Sequence, residues 1–214
     1  SNASGSSAVV GHMTSTTQGW TDRPSGPSSC DTSGLRLYCL GTRYTEPVLA
    51  PPAAGRLVFV TATGVPARQV LDGGWCQAEA ADAGLAGTFR PIVATTTQTI
   101  AQRTANGTDA GWVRPDGVVV VASVASLTQA DADFAAGINV TAKGAYVGSE
   151  LVWTGASDTA SVGTQLDTCL DWSTNSGNSA EMGRANRGGR FTIGEPGGVV
   201  GDCAQLYRLY CLQD

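Results

Sequence analysis

Tyr207-Arg208-Leu209-Tyr210-Cys211-Leu212, close to the end of this 214-residue chain, reads as a strand that carries a cysteine. Aromatic and aliphatic side chains dominate it, and no Gly or Pro interrupts it. The run has a twin. Leu35-Arg36-Leu37-Tyr38-Cys39-Leu40 matches it at five of six positions. Each copy follows another cysteine, Cys30 nine residues before Cys39 and Cys203 eight before Cys211. An internal match of this kind signals a repeated unit. The chain accordingly divides into three. Residues 1–41 are a cloning remnant, Ser1-Asn2-Ala3, and the C-terminal piece of a preceding copy of the module. Residues 42–55, with Pro47, Pro51 and Pro52, form a Pro/Ala-rich linker. Residues 56–214 are the main module. No signal peptide is visible, and a leader is expected to lie outside this sequence.

Working back from the closing strand, Leu57-Val58-Phe59-Val60-Thr61 reads as the opening strand. Asp72 caps a short helix in which Cys76, Ala80 and Ala83 share a face, with Gly84 as its stop. Pro115-Asp116-Gly117 marks a turn before a strand at Val118 to Val121. Leu127, Ala130, Phe134 and Ile138 recur at helical spacing and predict a second helix ending at Gly137. Short strands are expected at Ala145 to Val147 and Leu151 to Thr154. Ser157 to Gly201, rich in Gly, Ser, Asn and Thr, reads as long loops, and loops of that length need stapling or a function. The order is α+β with antiparallel pairing and two short helices.

Composition narrows the function. Lys and Arg total 13 against 18 Asp and Glu, for a net charge of −5. A general nucleic-acid binder needs surplus positive charge, so no nucleic-acid partner is expected. Charged residues are 14% and hydrophobic residues 42%, which a disordered chain does not show. The longest mainly apolar run, Val118 to Ala125, falls far short of the roughly 20 residues of a membrane helix. The single histidine, His12, removes most metal and triad chemistry, and no cofactor is expected. Six cysteines without a C-x-x-C pair favour disulfides and an extracytoplasmic setting. Spacing alone leaves all three pairings of Cys76, Cys169, Cys203 and Cys211 open.

Several short motifs occur in order along residues 56–214. They include Leu57-Val58-Phe59-Val60-Thr61, Trp75-Cys76-Gln77-Ala78-Glu79-Ala80 and Gly84-Leu85-Ala86-Gly87-Thr88-Phe89. Trp112-Val113-Arg114-Pro115-Asp116-Gly117, Val152-Trp153-Thr154-Gly155, Cys169-Leu170-Asp171-Trp172-Ser173 and Leu209-Tyr210-Cys211 follow. Together they resemble the C-type-lectin-like fold. They look most like the bacterial endostatin-like domains of unknown function found in spirochaete lipoproteins and myxobacterial secreted proteins. The N-terminal Trp20-Thr21-Asp22, Cys30 and Leu37-Tyr38-Cys39 look like the usual ending of such a domain. The resemblance implies nested disulfides Cys76–Cys211 and Cys169–Cys203, with long disulfide-clamped loops. Cys30 and Cys39, left over, are expected to pair with each other. The resemblance also implies a secreted or surface-displayed module, since spirochaete relatives are associated with host matrix and complement proteins.

The candidate ligand contacts are Arg184, Arg187, Arg190, Trp172 and Asn175. The arginines could grip sulfate or carboxylate groups through forked contacts, and Trp172 could stack on a sugar, with core filling as its alternative. Trp153 resembles the family's core strand and is expected to be buried. A calcium site of the lectin kind would draw on Asp171, Asn175, Asn178, Glu181, Glu195 and Asp202. Glu195-Pro196-Gly197 departs from the lectin Glu-Pro-Asn motif at its third residue, so no metal site is expected. Asp131 with Asp133, or Asp167 with Asp171, are the carboxylate pairs a glycan hydrolase would need. The pairs sit in a helix pattern or beside a disulfide, and no P-loop or Rossmann motif occurs, so catalysis is not expected. The expected function is non-catalytic binding or adhesion, to an extracellular protein or a glycan. A structural spacer of the cell envelope is the alternative.

Overall fold

The computed structural model describes residues 7–8, 28–29, 53–72, 74–129, 132, 134–194 and 198–214. The chain separates into two units, Ser1–Pro51 and Pro52–Asp214. In the first, β1 (Ser7–Ala8) pairs antiparallel with β2 (Ser28–Ser29). The twin strand 35–40, Cys30, Cys39 and His12 lie outside the described residues. In the second unit the strands are β3 (Arg56–Val60), β4 (Val65–Pro66), β5 (Phe89–Pro91), β6 (Trp112–Val113), β7 (Val119–Val121), β8 (Leu151–Trp153), β9 (Ser179–Arg184), β10 (Val200–Asp202) and β11 (Leu206–Gln213). Two right-handed helices, α1 (Gly74–Asp82) and α2 (Ile100–Thr104), pack beside them.

The closing strand is central. β11 pairs antiparallel with β3 on one side, Cys211 facing Phe59, and parallel with β8 on the other, Leu209 facing Trp153. The sheet order is β10-β9-β8-β11-β3-β6-β7, with β4 and β5 paired to the ends of β11. Successive side chains of a strand point to opposite faces, and here both faces are covered. Val58, Val60, Tyr210 and Leu212 enter one core cluster, while Phe59, Leu209 and Cys211 enter the other. Burial on both faces explains why this stretch is almost continuously apolar. The protein is thus mixed α+β with a core made mostly of sheet.

Helix α1 begins where the Asp72 carboxylate accepts a hydrogen bond from Gly74 N at 3.0 Å. It buries Cys76 and Ala80 and ends at Asp82; Gly84 follows with φ 70°, and Leu85 N reaches back to Ala80 O at 2.9 Å. The 114–117 turn closes with Gly117 N donating to Arg114 O at 2.9 Å and joins β6 to β7. Two nested disulfides bind the unit. Cys76–Cys211 joins α1 to β11 across 135 residues, and Cys169–Cys203 spans 34.

The structure corrects the expected second helix. Among the described residues only a short 3-10 turn, Val124–Thr128, forms there, although Leu127, Phe134 and Ile138 are all fully buried. Ala130 lies outside the described residues. The backbone bonds elsewhere: Ala135 N donates to Val120 O, and Phe134 O accepts from Gly189 N. Burial without a helix satisfied the same apolar spacing. The second helix is instead α2, started by a capping box in which Thr99 and Gln102 exchange bonds. The expected strand at Ala145 to Val147 is a single bridge, Val140 to Tyr146. The 157–201 segment holds β9 and β10 as well as loops.

Candidate functional site

Cys169, Leu170, Asp171 and Trp172 all have positive φ, between 51° and 61°. Four consecutive non-glycine residues in the left-handed region are costly, about 1–2 kcal/mol each, and persist only where the surroundings over-determine them. The surroundings do so from every side. Cys169 is tied to Cys203 with Cα atoms 5.8 Å apart. Thr168 Oγ1 accepts from Asp171 N at 3.0 Å, and the Asp171 carboxylate accepts from Thr96 N at 2.8 Å. Trp172 Nε1 donates to Ala94 O at 2.8 Å. Gly155, at φ 73°, admits the Trp172 ring, because a Cβ there would lie 2.7 Å from Trp172 Cζ2.

This strapped turn stands beside an open groove of about 400 Å³ lined by Leu166, Gly177, Asn178, Ser179, Asp202 and Ala204. Leu166 is 66% exposed and Leu170 is 38% exposed. Val162, Val200 and Leu206 in the flanking segments are also exposed. Exposed apolar side chains beside a rigid loop, as Leu166 and Leu170 are, are a usual mark of an interaction surface. Their exposure depends on tertiary packing, and nothing in the local sequence announces it.

The expected contacts fall in different places. Trp172 is 3% exposed and packs edge-to-face on Trp153, so it fills the core and offers no stacking platform. Asn175 is exposed near the turn, and its Oδ1 accepts from Arg68 N at 2.8 Å. Arg184 and Arg187 are half-buried, and the Arg190 side chain lies outside the described residues. Arg184 closes the end of β9 opposite Leu151, whereas Ser179 at the other end lines the groove. Those ends are separated by roughly 16 Å of strand, so Arg184 lies away from the groove.

Of the oxygen donors considered for calcium, Asp171 accepts from Thr96 N, Asn175 from Arg68 N and Asp202 from Ala204 N, whereas Glu181 Oε1 has no hydrogen-bond partner. Among the described residues no three His, Cys, Asp or Glu side chains are grouped as metal ligands would be. Asp131, Asp133 and Glu195 lie outside the described residues. Asp167 and Asp171 each cap a backbone N–H, which gives both a structural role. Among the described residues no helix is long and apolar enough to cross a membrane.

No protein-family model matches this chain, and no curated protein matches it.

Replacing Leu170 with Gly removes one left-handed penalty against the greater chain entropy of glycine, for a net gain of about 0.5–1 kcal/mol. A small rise in thermal midpoint is expected, and a clear fall would contradict the strain.

Glu181 on β9 is buried, and its Oε1 has no hydrogen-bond partner. Burial, helped by the nearby Asp167 charge, raises its carboxyl above the usual range. A raised carboxylate pKa contributes stability that is fully present below the unfolded value, about 4.3, and is lost as pH rises through the folded value. Glu181→Gln is therefore expected to be more stable than the parent at pH 7, with the difference vanishing in acid. Chemical denaturation at pH 4 and pH 7 reads this directly.

Proposed function

We propose that the second unit is an extracytoplasmic, non-catalytic binding module of the C-type-lectin-like, endostatin-like kind. It recognises a surface protein or glycan through the loop face around the left-handed turn. The carrying observation is the strained turn, fixed by a disulfide, a buried indole and a carboxylate cap, with Leu166 and Leu170 exposed beside the groove. Spending conformational strain at one exposed loop is reasonable where that loop must keep one shape for a partner. Two disulfides support an oxidising compartment. In the same reading, residues 1–41 end a preceding copy of the module. Five of six residues of 35–40 repeat β11 residues that bond Thr61 (Arg208), are fully buried (Leu209, Tyr210, Leu212) or form a disulfide (Cys211).

The test is a glycan array together with a panel of extracellular matrix proteins. The parent protein should give a saturable signal that does not respond to a calcium chelator. Leu166→Glu and Leu170→Glu should weaken it roughly tenfold or more, as hot-spot losses do, without lowering the thermal midpoint. Silence across both panels, or equal binding by the variants, would remove this reading.

A further inference from the structure

Among the described residues two buried guanidinium nitrogens, Arg56 Nη2 and Arg103 Nε, lack a hydrogen-bond partner, and a third, Arg90 Nε, is met by the side chain of Asp214. Arg56 and Arg90 meet at one corner, and Arg103 lies within electrostatic reach of Arg90. Arg56 opens β3, Arg90 is the middle residue of β5, and Arg103 lies in the last turn of α2. Arg56 Nη1 donates to Thr104 O at 2.7 Å, and Arg90 Nη2 reaches Ala105 O at 3.5 Å. Two guanidinium groups thus converge on the carbonyl end of α2, an end that favours cations.

Donors outnumber acceptors there. Arg103 has one weak bond, to Gln98 Oε1 at 3.4 Å. Asp171 attracts Arg103 from a distance, but its Oδ1 already takes Thr96 N. The carboxylate that enters the corner is that of Asp214. Its Oδ1 forms a close ion pair with Arg90 Nε and lies 3.8 Å from Arg56 Nη2. The Asp214 side chain is 39% exposed, whereas that of Arg56 is 6% exposed. A nearly buried cation therefore depends on a carboxylate that can leave.

We propose that Arg56 and Arg90, with the positive charge of Arg103 nearby, form an oxyanion site for a carboxylate or sulfate group, held in this state by the carboxylate of Asp214. Guanidinium forks suit two-oxygen anions, and a tethered carboxylate is an intramolecular competitor that an incoming anion must displace. The site uses none of the groove residues, so it stands or falls separately from the binding face proposed above.

Thermal unfolding in sodium sulfate and in sodium acetate, each against sodium chloride at equal ionic strength, tests it. Asp214→Asn should be stabilised by one or both anions with an apparent Kd roughly tenfold lower than the parent's. Arg90→Gln in the Asp214→Asn background should abolish that response. A response to acetate as well as sulfate identifies a carboxylate-compatible site, and a response to sulfate alone a sulfate site. Asp214→Asn responding no more than it does to chloride would overturn the proposal, as would an unchanged response in the double variant.

Discussion

Replacing Cys76 and Cys211 together with alanine is expected to lower stability by about 5 kcal/mol, on the chain-entropy account of a loop this long. The bridge closes 135 residues of sequence separation, most of the second unit. It also joins the buried face of α1 to the strand that every neighbouring strand uses as a partner. For a domain of this size each kcal/mol moves the midpoint by about 2–4 °C, so a drop of roughly 10–20 °C is expected in calorimetry. Removing Cys169 and Cys203 instead should cost less globally, about 4 kcal/mol, because that loop is shorter. Its distinctive effect is local: the left-handed turn loses its clamp, and limited proteolysis should cut within residues 157–178 before the rest opens. Equal global losses with no local cutting would contradict the assignment of different jobs to the two bridges.

Trp153→Ala is expected to cost about 3–5 kcal/mol for the cavity, with roughly 1 kcal/mol more for the orphaned carbonyl. Trp153 is fully buried, donates its Nε1 hydrogen to Val65 O at 2.8 Å, and packs edge-to-face on both Trp172 and Tyr207. Loss of its near-ultraviolet dichroism together with a fall of more than about 6 °C is the expected result. A variant of unchanged stability would mean the ring faces solvent, where a sugar could stack on it.

Some of this architecture was legible because local chemistry decides it. The strands at 57–60 and 206–213 are apolar and uninterrupted, and Asp72, Gly84 and the 114–117 turn mark boundaries with side chains suited to them. The nested disulfides agree with what the family resemblance implied, although spacing alone left three pairings open. Strand β9 was illegible for a physical reason. Ser179-Ala180-Glu181-Met182-Gly183-Arg184 has weak strand character and exists because β8 and β10 pair with it on both sides. Gly183 is required there by packing, since a Cβ would lie 2.0 Å from Thr192 O. The left-handed turn was hidden as well. Cys, Leu and Trp do not advertise positive φ, and only the disulfide, the Thr168 cap and the Ala94 contact together impose it. The groove carries no signal of its own, because Leu166 looks like a core residue until the fold leaves it outside.

The proposed binding face rests on the cross-links of the second unit, so non-reducing peptide mapping of undenatured protein, with free thiols alkylated first, is the most direct measurement. The expected fragments join Cys76 to Cys211 and Cys169 to Cys203. Alkylated cysteine at any of those four positions, or a fragment joining α1 to either end of the 34-residue loop, would contradict the account.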